Sequence, residues 1–395
     1  MQDLKIVVVG AGARGMLFIK LLCDLGHRTA TIVENNLNAH EMAAVRACEL
    51  GVNETAVFAS LDDALLSLRP EDEKAVFIMT PEYNHLELYM TAIANKCHVF
   101  IEKPLAADRE DVLRILEISR KSDTITQVGF VLRYCELYQK IKSVVESGRL
   151  GQIVTIQMNE RLAHFHGANY RRNWRRLKKY TGGFINEKCS HDLDLMCWLK
   201  ASQGRPSEVI SRAGSRLFDF QEGAENCEKC TDAACPYQPH KYAGLNMLGG
   251  KVFRDSTYAP ATTCVFRSDA DIYNHQSLLI NFTDGTQGVF TAIASTGNKG
   301  RDIALFGTRG CIWGNLEKGE LTLKEYWGDR TENFQFGTLN PHGNADPLII
   351  NSFMECIASR TQPLATVKEG ALASILAFAA DESAATGRPI VIPEI

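Results

Sequence analysis

Apolar runs and helix-like segments alternate through the first third of the chain. The apolar runs cover residues 4–9, 29–33, 75–79 and 98–101. Residues 16–26 carry apolar side chains at helical spacing, and helix-like segments precede the last two runs. Strand and helix in alternation predict a parallel sheet with helices on both faces. We therefore expect an α/β domain over residues 1–124.

The pattern changes after about residue 124. Apolar residues alternate over residues 151–161, which is typical of a long strand. Two pairs of strand-like segments each flank a turn: 277–283 and 286–293 around Asp284-Gly285, and 311–315 and 320–326 around Lys318-Gly319. A helix with one apolar face is expected at 368–386. The second domain, residues 125–395, is thus predicted to be α+β, with a large, mostly antiparallel open sheet.

Composition excludes several classes of protein. The chain has 395 residues, enough for two domains, with 45% hydrophobic and 23% charged residues, so a disordered chain is excluded. A formal net charge of −4 gives no global bias toward nucleic acid or anionic membranes. No apolar stretch reaches membrane-spanning length, and the first strand begins too early for a signal peptide, so we expect a cytoplasmic protein.

Gly10, Gly12 and Gly15 directly follow the first apolar run and open a helix. The first glycine permits a tight turn, the second lets the backbone approach a pyrophosphate, and the third allows close packing of helix and strand. The helix N-terminus offers backbone N–H groups to a phosphate. We expect this turn, with Ala13 and Arg14, to bind a dinucleotide; the alternative is a purely structural glycine turn.

Glu34 ends the second apolar run and bears on the choice of dinucleotide. A carboxylate at that strand end can accept hydrogen bonds from both ribose hydroxyls and would repel a 2′-phosphate. No arginine immediately follows to pair with such a phosphate. The sequence therefore favours NAD over NADP.

Three further segments hold polar residues where ligands of such folds bind. Thr80-Pro81 with His85, and Glu102-Lys103-Pro104, each leave the end of a predicted strand. The third segment follows Gly182-Gly183 and opens a helix in the second domain. Its polar residues at helical spacing are Glu187, Lys188, His191, Asp192 and Asp194.

With these four motifs in this order, the chain resembles the family of glucose–fructose oxidoreductase, inositol dehydrogenase and MocA proteins over essentially its whole length. That family joins a Rossmann domain to an open-sheet domain, with the active site between them. The resemblance implies that Lys103 lies beside the reacting hydroxyl and the nicotinamide ribose, and that His191 is the catalytic acid/base. Glu187 stands where many members have aspartate. The cofactor residues implied beyond the turn are Thr80, Pro81, His85, Glu102 and Lys103.

The chemistry of these residues agrees with the implied roles. A histidine, with an unperturbed pKa near ~6.5, can take a hydroxyl proton at neutral pH. A nearby ammonium stabilises developing alkoxide. On a helix Glu187, His191 and Asp194 share one face. The alternative is that they form an ordinary solvated helix face and that Lys103 is a surface lysine.

The stretch from Tyr170 to Lys179 places aromatic residues among six basic ones. Alone it could bind single-stranded nucleic acid, but the acidic pI and the lack of another basic stripe disfavour that. We expect a substrate-facing loop or a solvated subunit contact, with Trp174 stacking on a sugar ring, Arg175 donating to hydroxyls or a carboxylate, and His164 lining the pocket. Lys188 is either a sugar ligand or an i,i+4 partner of Asp192, and Asp194 is a further substrate candidate.

A cysteine cluster has the spacing of a metal site. Cys227, Cys230 and Cys235 lie within nine residues, and Cys264 offers a fourth sulfur. Four thiolates suit a structural zinc in an insertion at about 220–265 that lacks its own core. A subgroup of the resembled family carries a similar insertion. We therefore predict a zinc ion here, against the alternative of free thiols in a surface loop.

The expected activity is NAD-dependent hydride transfer between NAD and a secondary hydroxyl of a sugar, glycoside or cyclitol. Two alternatives stay open. One is glycoside cleavage by oxidation, elimination and re-reduction with NAD unchanged, and the other is a dinucleotide-binding sensor without turnover. An open sheet face makes a homo-oligomer, a dimer or tetramer, the expected assembly.

Overall fold

Six parallel strands form the first of two sheets in the computed structural model, in the order β3-β2-β1-β4-β5-β6. The structure describes residues 4–27, 29–200, 202–219, 224–238, 263–337, 339–340 and 342–395. The strands of this sheet are β1 Lys5–Val9, β2 Thr29–Val33, β3 Glu54–Phe58, β4 Lys74–Ile78, β5 His98–Ile101 and β6 Thr126–Val128. The helices between them are α1 Ala13–Asp24, α2 His40–Glu49, α3 Leu61–Leu66, α4 His85–Ala94 and α5 Arg109–Arg120.

The second sheet has nine strands in the order β14-β13-β12-β11-β7-β10-β9-β8-β15. They are β7 Ile153–Ala163, β8 Pro206–Gly214, β9 His275–Phe282, β10 Gln287–Thr296, β11 Gly300–Gly307, β12 Gly310–Asn315, β13 Glu320–Glu325, β14 Arg330–Gln335 and β15 Ile390–Val391. All neighbours pair antiparallel except β7 and β10, which are parallel. The remaining helices are α6 Glu136–Glu146, α7 His164–Arg172, α8 Lys178–Thr181, α9 Phe184–Lys200, α10 Asp346–Ser359 and α11 Val367–Thr386.

The predicted fold class is confirmed, with a parallel sheet followed by a mostly antiparallel one. Both predicted hairpins form, because β9 pairs with β10 across Asp284-Gly285 and β12 pairs with β13 across Lys318-Gly319. The basic aromatic stretch predicted as a loop is instead helical, comprising the end of α7, a 3₁₀ turn over Trp174–Arg176, and α8. No helix among the described residues combines the length and apolar composition needed to cross a membrane.

The chain divides into two compact units, the first of which is not one continuous stretch of sequence. The first unit takes the described residues within Met1–Gly129 and returns near the end of the chain to include Pro347–Ala371. The second takes those within Phe130–Tyr242, Thr257–Asp346 and Leu372–Ile395. The sequence pattern does not predict that Pro347–Ala371 belongs to the first unit, because hydrophobic periodicity identifies a helix but not the sheet against which it packs.

Aromatic packing holds the returning segment in the first unit. Phe353 of α10 is fully buried, with its ring centroid 5.4 Å from that of Phe77 and 5.7 Å from that of Phe100, both edge-on. The backbone N–H of Val128 donates to Ala365 O at 2.9 Å. Edge-to-face aromatic contacts add to the free energy gained by burying the rings.

We predict that Phe353→Ala lowers the free energy of unfolding by about 3–5 kcal/mol, because it leaves a cavity between two phenylalanines. Leu348→Ala on the same helix is the matched control, since Leu348 is 47% exposed. Denaturant unfolding of both variants measures the difference. Equal stability losses in the two variants would contradict the packing described.

Candidate active site

Two glycines of the turn after β1 are required by the surrounding backbone. Gly10 has φ +97°, and a Cβ there would lie 3.0 Å from Met79 O. At Gly15 a Cβ would lie 1.9 Å from Gly10 O, which no side chain can accept. The turn therefore needs both glycines to bring α1 against the strand end, whatever it binds.

Gly12 has a different reason for being glycine. Its φ is −68°, ordinary for any residue, and a Cβ there would meet no atom within 4 Å. It is the N-cap of α1, no side chain caps that helix, and the first turn holds no acidic residue. The N–H groups and the positive dipole end of α1 can therefore receive an anion. The open space at Gly12 fits the pyrophosphate of NAD.

The Glu34 carboxylate lies at the same strand edge. Its Oε2 accepts from the Ala11 N–H at 3.1 Å and its Oε1 from the Asn36 N–H at 3.0 Å. These bonds fix the carboxylate beside the turn, where the sequence places the adenosine ribose.

Glu102 connects the glycine turn to the segment that carries Lys103. Its Oε1 accepts from Arg14 Nε at 2.6 Å, and its Oε2 accepts from the Lys103 backbone N–H at 3.1 Å. The carboxylate is buried, and the Arg14 guanidinium also lies 4.5 Å from the Phe18 ring centroid. The geometry thus gives Glu102 and Arg14 a positioning role at the predicted cofactor site. The Lys103–Pro104 peptide bond is cis.

His85 lies behind the loops rather than at their surface. It is fully buried, with Nδ1 3.2 Å from Leu105 O and Nε2 3.0 Å from Thr80 O. Burial lowers its pKa, which favours the neutral ring. His85 therefore connects the loops after β4 and β5. The Thr80 hydroxyl is buried with no hydrogen-bond partner among the described residues, beside Gly10, where a cofactor group could satisfy it.

In the second unit, Glu187 is buried and hydrogen-bonded through both oxygens. Tyr170 Oη donates to Oε2, and Arg175 Nε donates to Oε1 at 2.6 Å. Burial and the Glu187 charge raise the pKa of Tyr170 well above its usual value. The Arg175 guanidinium also lies 4.3 Å from the Trp174 ring centroid. Glu187 therefore holds an arginine–tryptophan pair in place.

His191 lies one turn after Glu187 on α9 and is 5% exposed. Its ring has two aromatic neighbours at similar separations. The centroid of Phe130 is 6.0 Å away and that of His342 is 6.1 Å away, both in edge-on arrangements. His191 is thus a buried residue of α9 with a phenylalanine and a second histidine as ring neighbours.

Asp194, a predicted substrate residue, is instead paired with an arginine. Arg133 donates to it bidentately, with Nε–Oδ2 2.8 Å and Nη2–Oδ1 2.6 Å. Both side chains are almost completely buried. This pairing supports α9, and the substrate role of Asp194 stays a prediction.

Lys188 belongs to a buried charge cluster. Its Nζ lies 3.4 Å from Glu160 Oε1, while Arg301 Nε contacts Glu160 and lies 2.9 Å from Asp192 Oδ1. Burial raises the pKa of Asp192 to about 6, opposed by the Arg301 charge. The ion pair of Lys188 is thus with Glu160 of β7, whereas the predicted i,i+4 partner is Asp192. Its role as a sugar ligand stays a prediction.

The arginines near Trp174 serve the fold. Arg171 Nε donates to Val265 O at 3.0 Å, and Arg176 Nε lies 2.5 Å from Asp269 Oδ1. Acceptors of the protein itself therefore hold both of these guanidinium groups. His164 Nδ1 lies 2.8 Å from Ser295 Oγ, and its ring is edge-on to Tyr237 at 5.4 Å.

The predicted zinc site at Cys227, Cys230, Cys235 and Cys264 is not supported. No group of three or more His, Cys, Asp or Glu side chains in the described part of the chain could hold a metal ion, and these four cysteines are free thiols. Another guanidinium holds this segment instead. Arg172 donates to Thr263 O and Tyr237 O, both at 2.7 Å, and contacts Cys227 Sγ at 3.2 Å.

A small apolar cluster packs around the cysteine-containing segment. This segment was expected to lack a core, and the cluster provides a small one. The buried members are Ala168, Phe218, Tyr237 and Val265, with Cys235 and Phe266 packed against them. The spacing of the cysteines is typical of a metal site, but spacing alone does not determine whether the sulfur atoms lie close enough together to bind one ion.

Comparison with known proteins gives two family matches. Residues 4–130 match an oxidoreductase family in its NAD-binding Rossmann fold. Residues 142–392 match the C-terminal alpha/beta domain of an oxidoreductase family, and this match alone covers more than half of the chain.

Individual relatives are distant. YteT of Bacillus subtilis is 23% identical over 266 residues, 63% of this chain and 61% of that protein. The myo-inositol 2-dehydrogenase of Thermotoga maritima is 23% identical over 322 residues, 81% of this chain and 80% of that enzyme. A solved levoglucosan dehydrogenase, in complex with NADH and levoglucosan, has a TM-score of 0.76 at 19% identity, over 99% of this chain and 100% of that chain. The chain thus spans about three fifths of YteT, and the structural likeness shows a shared fold.

The two kinds of glycine predict opposite outcomes for alanine substitution. Gly12→Ala should leave the melting temperature within about 2 °C but weaken NADH binding at least about tenfold, since its methyl occupies only ligand space. Gly15→Ala should destabilise the protein, because its methyl meets Gly10 O. Thermal melts and NADH titrations measure both, and a Gly12→Ala protein with unchanged affinity would contradict the assignment.

Proposed function

Because this chain belongs to the oxidoreductase family of glucose–fructose oxidoreductase, inositol dehydrogenase and MocA proteins, we propose that it transfers hydride between NAD and a secondary hydroxyl of a sugar, glycoside or cyclitol. The observation that carries the proposal is the Glu102 carboxylate. It hydrogen-bonds both Arg14 of the glycine turn and the backbone of Lys103, so a lysine is held beside the cofactor turn. A bare dinucleotide sensor would have no need of that lysine.

Two residues carry the proposed chemistry. The Lys103 ammonium stabilises the alkoxide character that develops as the hydroxyl is oxidised. His191 takes the hydroxyl proton. NAD supplies the hydride acceptor when bound. Glu187, whose two oxygens are occupied by Tyr170 and Arg175, assists by positioning those two side chains.

The choice of NAD and of a polyol follows from further contacts. Glu34, fixed by two backbone N–H groups, would repel a 2′-phosphate. Trp174 with Arg175 offers an aromatic face and a cation, a combination suited to a sugar ring and its hydroxyls. Relatives named for activity on inositol and levoglucosan support the same substrate class.

We predict that His191→Ala lowers kcat at least about a hundredfold while NADH affinity stays within twofold, because the lost group moves a proton and does not bind the dinucleotide. His27→Ala, at the far end of α1, is the control and should keep wild-type kcat. The assay is NAD reduction over a panel of sugars, glycosides and cyclitols. Wild-type turnover in His191→Ala would refute the assignment, and sugar release without NADH would indicate the redox-neutral alternative.

We further propose that the chain forms a homo-oligomer through the outward face of the nine-stranded sheet. Strand register places Leu279, Val289, Gln157, Ala304 and Trp313 in one row across that face. Leu279 is 37% exposed and Trp313 is 41% exposed. Four of the five residues in this row are apolar, and such a row on a broad sheet face is suited to burial against a second copy.

Trp313→Glu should shift the assembly toward monomers, because it replaces a large exposed apolar side chain of the proposed interface with a charge. Trp327→Glu is the matched control, since Trp327 lies outside the sheet strands and is 71% exposed. Light scattering after size-exclusion chromatography measures the mass of each. An unchanged mass for Trp313→Glu, or a monomeric wild type, would contradict the proposed interface.

A further inference from the structure

The carboxylates near His191 on α9 all have other partners. Asp194 is paired with Arg133, Asp192 with Arg301, and Glu187 with Tyr170 and Arg175. Glu187 and Asp194 accept through both oxygens from adjacent donors. Burial raises the pKa of Asp192 to about 6, and its Oδ1 lies 2.9 Å from Arg301 Nε.

His342 is the titratable side chain whose ring faces His191 among the described ring contacts. Their centroids are 6.1 Å apart with the planes at 60°. The two imidazoles are thus neighbours, and a proton can pass between neighbouring rings through water. The other described ring neighbour of His191 is Phe130, which cannot exchange protons.

Asp346 orients His342. The Nδ1 of His342 lies 3.1 Å from both carboxylate oxygens of Asp346, four residues further along the chain. An imidazole that donates through Nδ1 presents its Nε2 as an acceptor, and the neighbouring carboxylate stabilises the doubly protonated ring. This pair can therefore receive a proton and release it.

A proton that leaves His191 must reach solvent, and His342 is the more exposed of the two histidines. His191 is 5% exposed, whereas the His342 side chain is 34% exposed. We propose that His342, oriented by Asp346, passes to solvent the proton that His191 takes from the substrate. This inference rests on the proposed dehydrogenase function and adds a residue that acts through His191 without touching the substrate.

The step balances with the proposed reaction. The substrate C–H bond breaks with its electron pair leaving as hydride to NAD, and the O–H proton goes to His191. His191 then gives that proton to His342, which releases it to water and returns to its Nδ1–H form. One ketone, one NADH and one proton leave per turnover, and reduction of the ketone runs the same path in reverse.

Stopped-flow formation of NADH separates this relay from a structural role. In His342→Gln the amide can still donate to Asp346, but the side chain cannot carry a proton. His191 can accept the first proton, so the first turnover should keep the wild-type rate. Later turnovers should slow about tenfold, giving a burst of one NADH per active site. Added imidazole should accelerate the slow phase, and Asp346→Asn should show a smaller burst effect.

The outcomes distinguish this relay from the parent proposal. Loss of the first turnover in His191→Ala, with a burst and imidazole rescue in His342→Gln, supports both. If His191→Ala loses turnover but His342→Gln has the wild-type steady-state rate, or loses its first turnover as well, the relay is refuted and the dehydrogenase assignment stands. If the wild type fails to reduce NAD with every sugar, glycoside and cyclitol of the panel, both proposals fail.

Discussion

Charge compensation along α9 is the constraint on which the second unit depends. Nearly every residue of this helix is buried, including its acidic side chains. A buried carboxylate is tolerated only with a paired cation, and removing one partner of such a pair costs about 3–5 kcal/mol. Arg133 and Arg301 supply those cations from a segment before α6 and from β11. Ion pairs with two separate segments thereby hold the helix that carries His191.

The first unit is organised by a steric constraint instead. Gly15 brings α1 into contact with the turn, Gly10 adopts a positive φ, and Glu102 fixes the adjoining loops with two hydrogen bonds. Charge matters here chiefly through its placement, because the uncapped end of α1 and the nearby guanidinium both favour an anion. Steric fit thus holds the predicted functional groups of the first unit in place, whereas buried ion pairs do so in the second.

Local patterns predicted the fold class, the glycine turn and the hairpins, because each depends on neighbouring residues. They also predicted that Glu187 and His191 share a helix face. They could not predict that α10 returns to the first unit, that Asp194 pairs with Arg133, or that His342 lies against His191. Those contacts join residues 61 to more than 150 positions apart, and no spacing rule relates them. The cysteine cluster shows the converse, since correct spacing did not bring the sulfurs together as a metal site.

The bond between Arg14 and Glu102 has a consequence for how sequences of this type diverge. One carboxylate satisfies a guanidinium on the dinucleotide turn and an N–H on the lysine segment, so a change at position 102 affects both at once. A change at position 14 leaves a buried acid with one partner fewer. Positions 14 and 102 should therefore covary among related sequences. The residue at position 14 of the cofactor turn is then constrained by a residue 88 positions away in the chain.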